Sequence, residues 1–544
     1  MKNYLILIIL LLSGLTFSQN LKEDVDALLS AKYKANEPGA TAIIAKGGTP
    51  IYRNAFGMAS LENNVTMTPE HVFEIGSITK QFTAVSILML MEQGKLSLED
   101  PITKYIENYP MNGHVITVHH LLTHTSGIKS YTSMEKWGKL WRNDMTPLEM
   151  IDLFKSEPMD FAPGEKYLYN NSAYFMLGYI IEKASGLTYS KFLEKNIFSS
   201  LRMKNSYYGS QSMIIMNRAL GYQKGENYKN AEYLSLTQPY AAGSIMSNVD
   251  DLLIWNQAVQ SSKLVKKETI QKAFTNYKLN NGKLLNYGYG WALDEINGST
   301  TVEHSGGIFG FSTNAIYLPK EDVFVAVFSN CDCNSPGEVS TRMAALAIGK
   351  PYLEPIEKIK LDAAYAKSLT GVYEFDDESK RIITFEDGQL FSQRAGGTKI
   401  KIIPQDKSNF SYSKSINSSI QFISDKTGVK EAIFKNRINV TKGIKTNTPI
   451  PSQNEVTVSL DVMKQYLGVY EIQPSFSITI TLEDGHLMSQ ATGQDKFEIF
   501  PESQTKYFLK VVDAQLEFIA SPDGKYDSFI LYQGGQKIPG KRKM

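Results

Sequence analysis

Only two of the 544 residues are cysteine, Cys331 and Cys333, a scarcity that excludes a disulfide framework as the device holding the chain together. A bridge across one intervening residue is expected to be strained, given the Cα separation disulfides prefer. The pair also falls short of the roughly four ligands of a structural zinc site, so no metal is expected. Charge of one sign is lacking too: 57 Lys and Arg against 56 Asp and Glu leave a formal net charge of +1. With no basic stripe or charge block, a nucleic-acid partner is excluded. Long apolar runs are absent except near the start, where Lys2 precedes apolar residues 4–12, followed by Ser13, Gly14, Thr16 and Ser18. That run is shorter than the roughly 20 residues of a membrane-spanning helix. Its shape is that of a signal peptide over residues 1–18, which implies a secreted or periplasmic protein with no stable membrane span.

What is present is a globular composition, 42% hydrophobic and 21% charged, at a length that predicts several domains. Residues 20–350 read as one mixed α/β unit. Two β-like runs, 41–46 and 51–56, flank Gly47-Gly48 and predict a hairpin. Residues 77–93 are apolar nearly all round and end before Gly94, the pattern of a buried helix. Further helices follow, and then residues 287–293, 300–304, 312–318 and 323–329 read as successive strands. Strands at both ends with helices between them imply a sheet assembled from distant segments.

Residues 360–445 and 458–544 instead alternate in β fashion and repeat one another at an offset of 97. Gly371-Val372-Tyr373-Glu374 recurs as Gly468-Val469-Tyr470-Glu471, Glu386-Asp387-Gly388 as Glu483-Asp484-Gly485, Ser392-Gln393 as Ser489-Gln490, and Gly443 as Gly540. Each copy carries the Asp-Gly turn of a hairpin, which predicts two small antiparallel barrels or sandwiches. Residues 446–453, with Pro449 and Pro451, read as the linker between them.

Three short patterns carry chemistry. Ser77 and Lys80 form one of five Ser-x-x-Lys matches; Ser126, Ser133, Ser411 and Ser503 also have lysine three residues on. Only Ser77 follows Ile75-Gly76 and opens a long buried helix, which places its hydroxyl at the positive end of the helix dipole. Spacing of three sets Lys80 on the same face, one turn deeper. Burial lowers the basicity of a lysine, so Lys80 is expected to take the Ser77 proton during nucleophilic attack.

Tyr169-Asn170-Asn171 is the second pattern, also met at Tyr52 and Tyr228. There Tyr169 would shuttle a proton to the leaving group and the Asn171 amide would hold a substrate carbonyl; a core tyrosine and a helix-capping asparagine fit the same residues. The third is His304-Ser305-Gly306-Gly307, read at the end of a strand, where paired glycines admit substrate close to the backbone. A backbone N–H on the following strand would join that of Ser77 in an oxyanion hole. A tight turn between strands also explains the glycines.

In this order, the three patterns resemble the serine β-lactamase and penicillin-binding-protein superfamily, closest to class C β-lactamases and related esterases and D-aminopeptidases. The resemblance covers residues 25–345. It implies a β-lactamase-like transpeptidase fold of the α/β (α+β) class, an antiparallel sheet flanked by helices, followed here by the two all-β units. It also takes in residues 120–127, His120 to Gly127, as a structural segment; His120 and His124 are not an H-E-x-x-H zinc pair. The implied activity is that of a serine hydrolase: catalytic Ser77, Lys80 and Tyr169, substrate-binding Asn171, His304, Gly306 and Gly307, and no cofactor. The substrate is expected to be a small molecule or peptide.

The pattern departs from the superfamily at one position. Its third motif usually opens with a lysine that helps hold a substrate carboxylate, whereas His304 is mostly neutral at pH 7. The expectation is therefore ester or amide hydrolysis, with D-amino-acid amides or peptides as candidates. The alternatives are a β-lactamase or D,D-carboxypeptidase, and a catalytically silent cell-wall peptide-binding protein.

Overall fold

The computed structural model describes residues 21–543 except 396, 414, 427, 451–454, 474–475 and 534–535. The signal-peptide reading, and the linker from residue 451, therefore lie outside the described residues. The chain divides into two compact units, residues up to Pro351 apart from Gly225–Asn227, and those from Tyr352 onward.

The first unit is built on a six-stranded antiparallel sheet. Strands β1 (Ala40–Lys46) and β2 (Thr49–Phe56) form the predicted hairpin. After the helices come β3 (Ala292–Ile296), β4 (Ser299–Ile308), β5 (Phe311–Leu318) and β6 (Val323–Ser329). Spatial order is β3-β4-β5-β6-β1-β2, so the last strand of the unit pairs with its first. The sheet thus joins residues almost 300 apart, as the sequence implied. The predicted strand over 287–293 is displaced to β3: Tyr287 only bridges to Ala292, and the Gly288–Gly290 segment runs against the core, where Gly288 would clash with Ala273 O if it carried a β-carbon.

Helix α1 (Thr79–Glu92) follows a short 3-10 turn, Gly76–Ile78. Eleven of its fourteen residues are buried, which matches an apolar sequence with no polar face. Helix α2 (Asn171–Ser185) packs beside it and is just as buried along its middle. Asn170 caps α2, its side-chain oxygen accepting from the Ala173 N–H, and Gly186 ends the helix at φ 73°.

The second unit holds two closed antiparallel barrels, of eight strands each among the described residues. Their strands run from Gly371–Phe375 to Asn439–Lys445 and from Gly468–Gln473 to Gln536–Arg542. The repeat has a structural meaning. Tyr373 donates to Leu369 O at 2.8 Å and Tyr470, its counterpart 97 residues on, donates to Tyr466 O at 2.9 Å. Asp387-Gly388 and Asp484-Gly485 both have positive φ at each residue, the turn expected of tight hairpins.

Cys331 and Cys333 are bonded to each other. The bend after β6 brings their Cα atoms to 5.1 Å, within the range a disulfide accepts.

Candidate active site

The site forms where the turn Ile75-Gly76-Ser77, the start of α2, the Ala242-Gly243 segment and β4 converge. Their approach depends on missing side chains. A β-carbon on Gly306 would lie 2.0 Å from Ile75 O and 2.4 Å from Thr313 Oγ1, and one on Gly76 would lie 2.9 Å from the Gly307 nitrogen. His304 to Gly307 lie inside β4, paired with Ser312 to Ala315 of β5, and not in a turn beyond a strand end. The glycines therefore serve close packing of β4 against the Ser77 turn.

Ser77 is half-buried in the opening turn of the 3-10 helix, where backbone N–H groups have no intrahelical acceptor. Lys80 is fully buried. Its Nζ lies 3.0 Å from Ser77 Oγ, 2.8 Å from Asn171 Oδ1 and 2.8 Å from Ala242 O. None of these partners is a carboxylate, and burial holds the lysine pKa well below its ordinary value. Amide and peptide oxygens only accept. In its neutral form the amine would donate its two hydrogens to Asn171 and Ala242 and offer its lone pair to the Ser77 hydroxyl.

Tyr169 lies across the same amine, with Nζ 4.7 Å from its ring centroid. Its hydroxyl is buried and makes no hydrogen bond of normal geometry. Burial raises the phenol pKa far above its ordinary value, against a smaller opposite pull from the Ser77 hydroxyl, so the phenol keeps its proton. Asn171 is the first residue of α2; besides accepting from Lys80, it donates through Nδ2 to Thr132 Oγ1 at 3.2 Å. The capping role open to this motif falls to Asn170, leaving the Asn171 amide in the site.

His304 is placed differently from its expected part in substrate binding. It is 6% exposed and sits behind Tyr169, ring centroids 6.0 Å apart. A hydrogen-bonded chain fixes it. The Asn170 N–H donates to His124 Nδ1 at 3.0 Å, His124 Nε2 lies 3.3 Å from the Tyr287 hydroxyl, that hydroxyl lies 3.0 Å from His304 Nε2, and His304 Nδ1 lies 2.6 Å from Ser305 O. Because the ends are a backbone donor and a backbone acceptor, the inner tautomers follow: His124 donates to Tyr287, and Tyr287 donates to His304. Burial, the leading cause, lowers the His304 pKa to about 3, so the ring is neutral and its nitrogens are spent. It cannot anchor a substrate carboxylate. His124 belongs to this buried chain, and His120 closes a capping box with Thr117; among the described residues no cluster of metal-binding side chains occurs.

Sequence reasoning missed Tyr287, the carbonyl of Ala242 and Asp332. None belongs to a motif, and each reaches the site only through the fold. The cavity in front of Ser77 has a volume of about 330 Å³ and is lined by Tyr131, Trp137, Asn171, Leu234, Gly307, Phe309 and Asp332 among others. A larger cavity of about 640 Å³ lies in the second unit; it contains none of these groups, so the chemistry is assigned to the smaller one.

Residues 17–350, more than half of the chain, match the family described as Beta-lactamase. The chain belongs to that family, whose members are generally serine hydrolases. Residues 452–542 match a domain of unknown function, DUF3471. Penicillin-binding protein 4* of Bacillus subtilis is 27% identical over 441 residues, covering 76% of this chain and 97% of that one. Among solved structures, the octameric penicillin-binding protein homologue from Pyrococcus abyssi aligns with a TM-score of 0.55 at 25% identity, over 78% of this chain and 99% of that one. A D-stereospecific amidohydrolase from Streptomyces sp. aligns with a TM-score of 0.51 at 26% identity, over 58% and 96%.

Proposed function

We propose that this protein is an exported hydrolase that cleaves an ester or amide through an acyl intermediate on Ser77, with D-amino-acid amides or peptides as its substrate class. The carrying observation is the buried Lys80 amine, set between Ser77 Oγ and two fixed carbonyl oxygens with no carboxylate partner. In the first step Ser77 Oγ attacks the substrate carbonyl carbon and passes its proton to Lys80 Nζ. The Ser77 N–H and the backbone N–H of Gly307, which lies against Gly76, stabilise the oxyanion. Collapse breaks the bond to the leaving group, which takes a proton from Tyr169, itself reprotonated from Lys80. Water then attacks the acyl-serine by the same route in reverse, releasing the acid and restoring Ser77.

The neutral, enclosed His304 supports amide or ester substrates over β-lactams and D-Ala-D-Ala peptides, whose carboxylate has no cation to meet there. The likeness to a D-stereospecific amidohydrolase supports the same choice. Turnover of D-alanine p-nitroanilide against a chromogenic cephalosporin tests it. We expect faster turnover of the anilide; preferential hydrolysis of the cephalosporin would reassign the protein as a β-lactamase, and tight muropeptide binding without turnover as a receptor.

A further inference from the structure

Among the described residues lining the Ser77 cavity, Asp332 alone bears a charge. The rest of the wall is largely apolar and aromatic, with Tyr131, Trp137, Leu234, Ile308 and Phe309. Asp332 stands between the bonded Cys331 and Cys333, which closes a small ring around it. Its Oδ2 accepts from the Gly310 N–H at 3.0 Å and from Gln223 Nε2 at 2.9 Å. The carboxylate is thus oriented from two sides, the residue is exposed, and among the described residues no cation pairs with it.

Building on the acyl-enzyme reading above, we propose that Asp332 binds an ammonium group on the acyl part of the substrate. A fixed carboxylate facing aromatic rings attracts a cation on both counts and repels a carboxylate. Gly310, which holds Asp332, lies three residues past Gly307, the residue packed on the Ser77 turn. Gly310 stands in the two-residue turn between β4 and β5, since Ile308 pairs with Phe311, so Asp332 is held past the end of β4. The α-ammonium of an amino-acid amide stays about 2.5 Å from its carbonyl carbon, and so beside Ser77 and Gly307. An ammonium one residue or one long side chain away reaches Asp332: the amino terminus of a dipeptidyl group, or a lysine-like or ornithine-like side chain.

The test uses the full chain and matched p-nitroanilides: an unblocked dipeptidyl compound, an Nα-acetyl-D-ornithyl compound, and each of them with its free amine acetylated. We expect at least one free amine to raise kcat/KM about 10- to 100-fold over its acetylated twin, a preference that weakens with added salt. Which pair shows it identifies the source of the ammonium. In Asp332→Asn, which keeps an oxygen for Gly310, the ratio is expected to fall toward one. Equal losses on both twins, with the ratio preserved, would make Asp332 structural and overturn the proposal. Acylation of Ser77 with no preference for the free amine would overturn the ammonium site alone, whereas no acylation of Ser77 by any compound would overturn both readings.

Discussion

Replacing Lys80 by methionine keeps an unbranched chain one atom shorter and removes its titration. In the unfolded chain this lysine titrates near 10.4; in the folded chain burial among uncharged partners holds it well below. Between those two pKa values the unfolded state carries one more proton than the folded state, so stability rises with pH there. Seen the other way, acidification from about pH 10.4 costs about 1.4 kcal/mol per pH unit until the folded lysine protonates. Methionine has no such cost. For an amine that is neutral at pH 7, the stability of the wild type relative to Lys80→Met is expected to increase by about 2.7 kcal/mol between pH 7 and pH 9. Urea unfolding read by tryptophan fluorescence measures this in the right part of the molecule, because all four tryptophans, Trp137, Trp141, Trp255 and Trp291, belong to the first unit. A difference that stays flat with pH would mean that the folded lysine is charged, and Lys80 would no longer serve as a base.

Tyr169→Phe is expected to lower kcat/KM about 10²- to 10⁴-fold while leaving the urea midpoint nearly unchanged, since the hydroxyl makes no hydrogen bond of normal geometry; equal activity would remove Tyr169 from proton transfer. Gly306→Ala forces a β-carbon to within 2.0 Å of Ile75 O, and should cost about 1–3 kcal/mol along with most of the activity. Gly307→Ala meets nothing within 4 Å and should unfold at the wild-type midpoint; equal destabilisation of the two would contradict the packing assigned to β4. Tyr287→Phe leaves a buried nitrogen of His124 and one of His304 without a partner, about 1–3 kcal/mol for each, which the same urea titration reads; an unchanged midpoint would show that the hydrogen-bonded chain contributes nothing.

The parts of the site that could be read in sequence are those set by local geometry. Ser77 and Lys80 face each other because three residues make nearly one helical turn, and the helix itself announced its burial through an apolar face on every side. The hairpin, the antiparallel strands of residues 299–329 and the 97-residue repeat were equally local or self-similar signals. What escaped depends on long-range contacts. Tyr287 was assigned to a strand from its alternating neighbours, yet it is held by two histidines, one of them 163 positions earlier in the chain. The orientation of His304 was hidden too: the motif marked its place on the strand, but not that its ring is enclosed with Tyr287 and Ser305 O. The spacing of Cys331 and Cys333 did not show that they are bonded, because the bend after β6 is what brings their Cα atoms to 5.1 Å. Asp332 inherits its position from that bend.

The central claim is that Ser77 forms a covalent acyl intermediate with Lys80 as its base, and intact-mass analysis after a brief incubation with an activated ester or a penicillin tests it most directly. The expected result is one acyl adduct, mapped by peptide digestion to Ser77, absent in Ser77→Ala and formed far more slowly in Lys80→Met. No adduct on the wild type, together with unchanged turnover in Ser77→Ala, would contradict it.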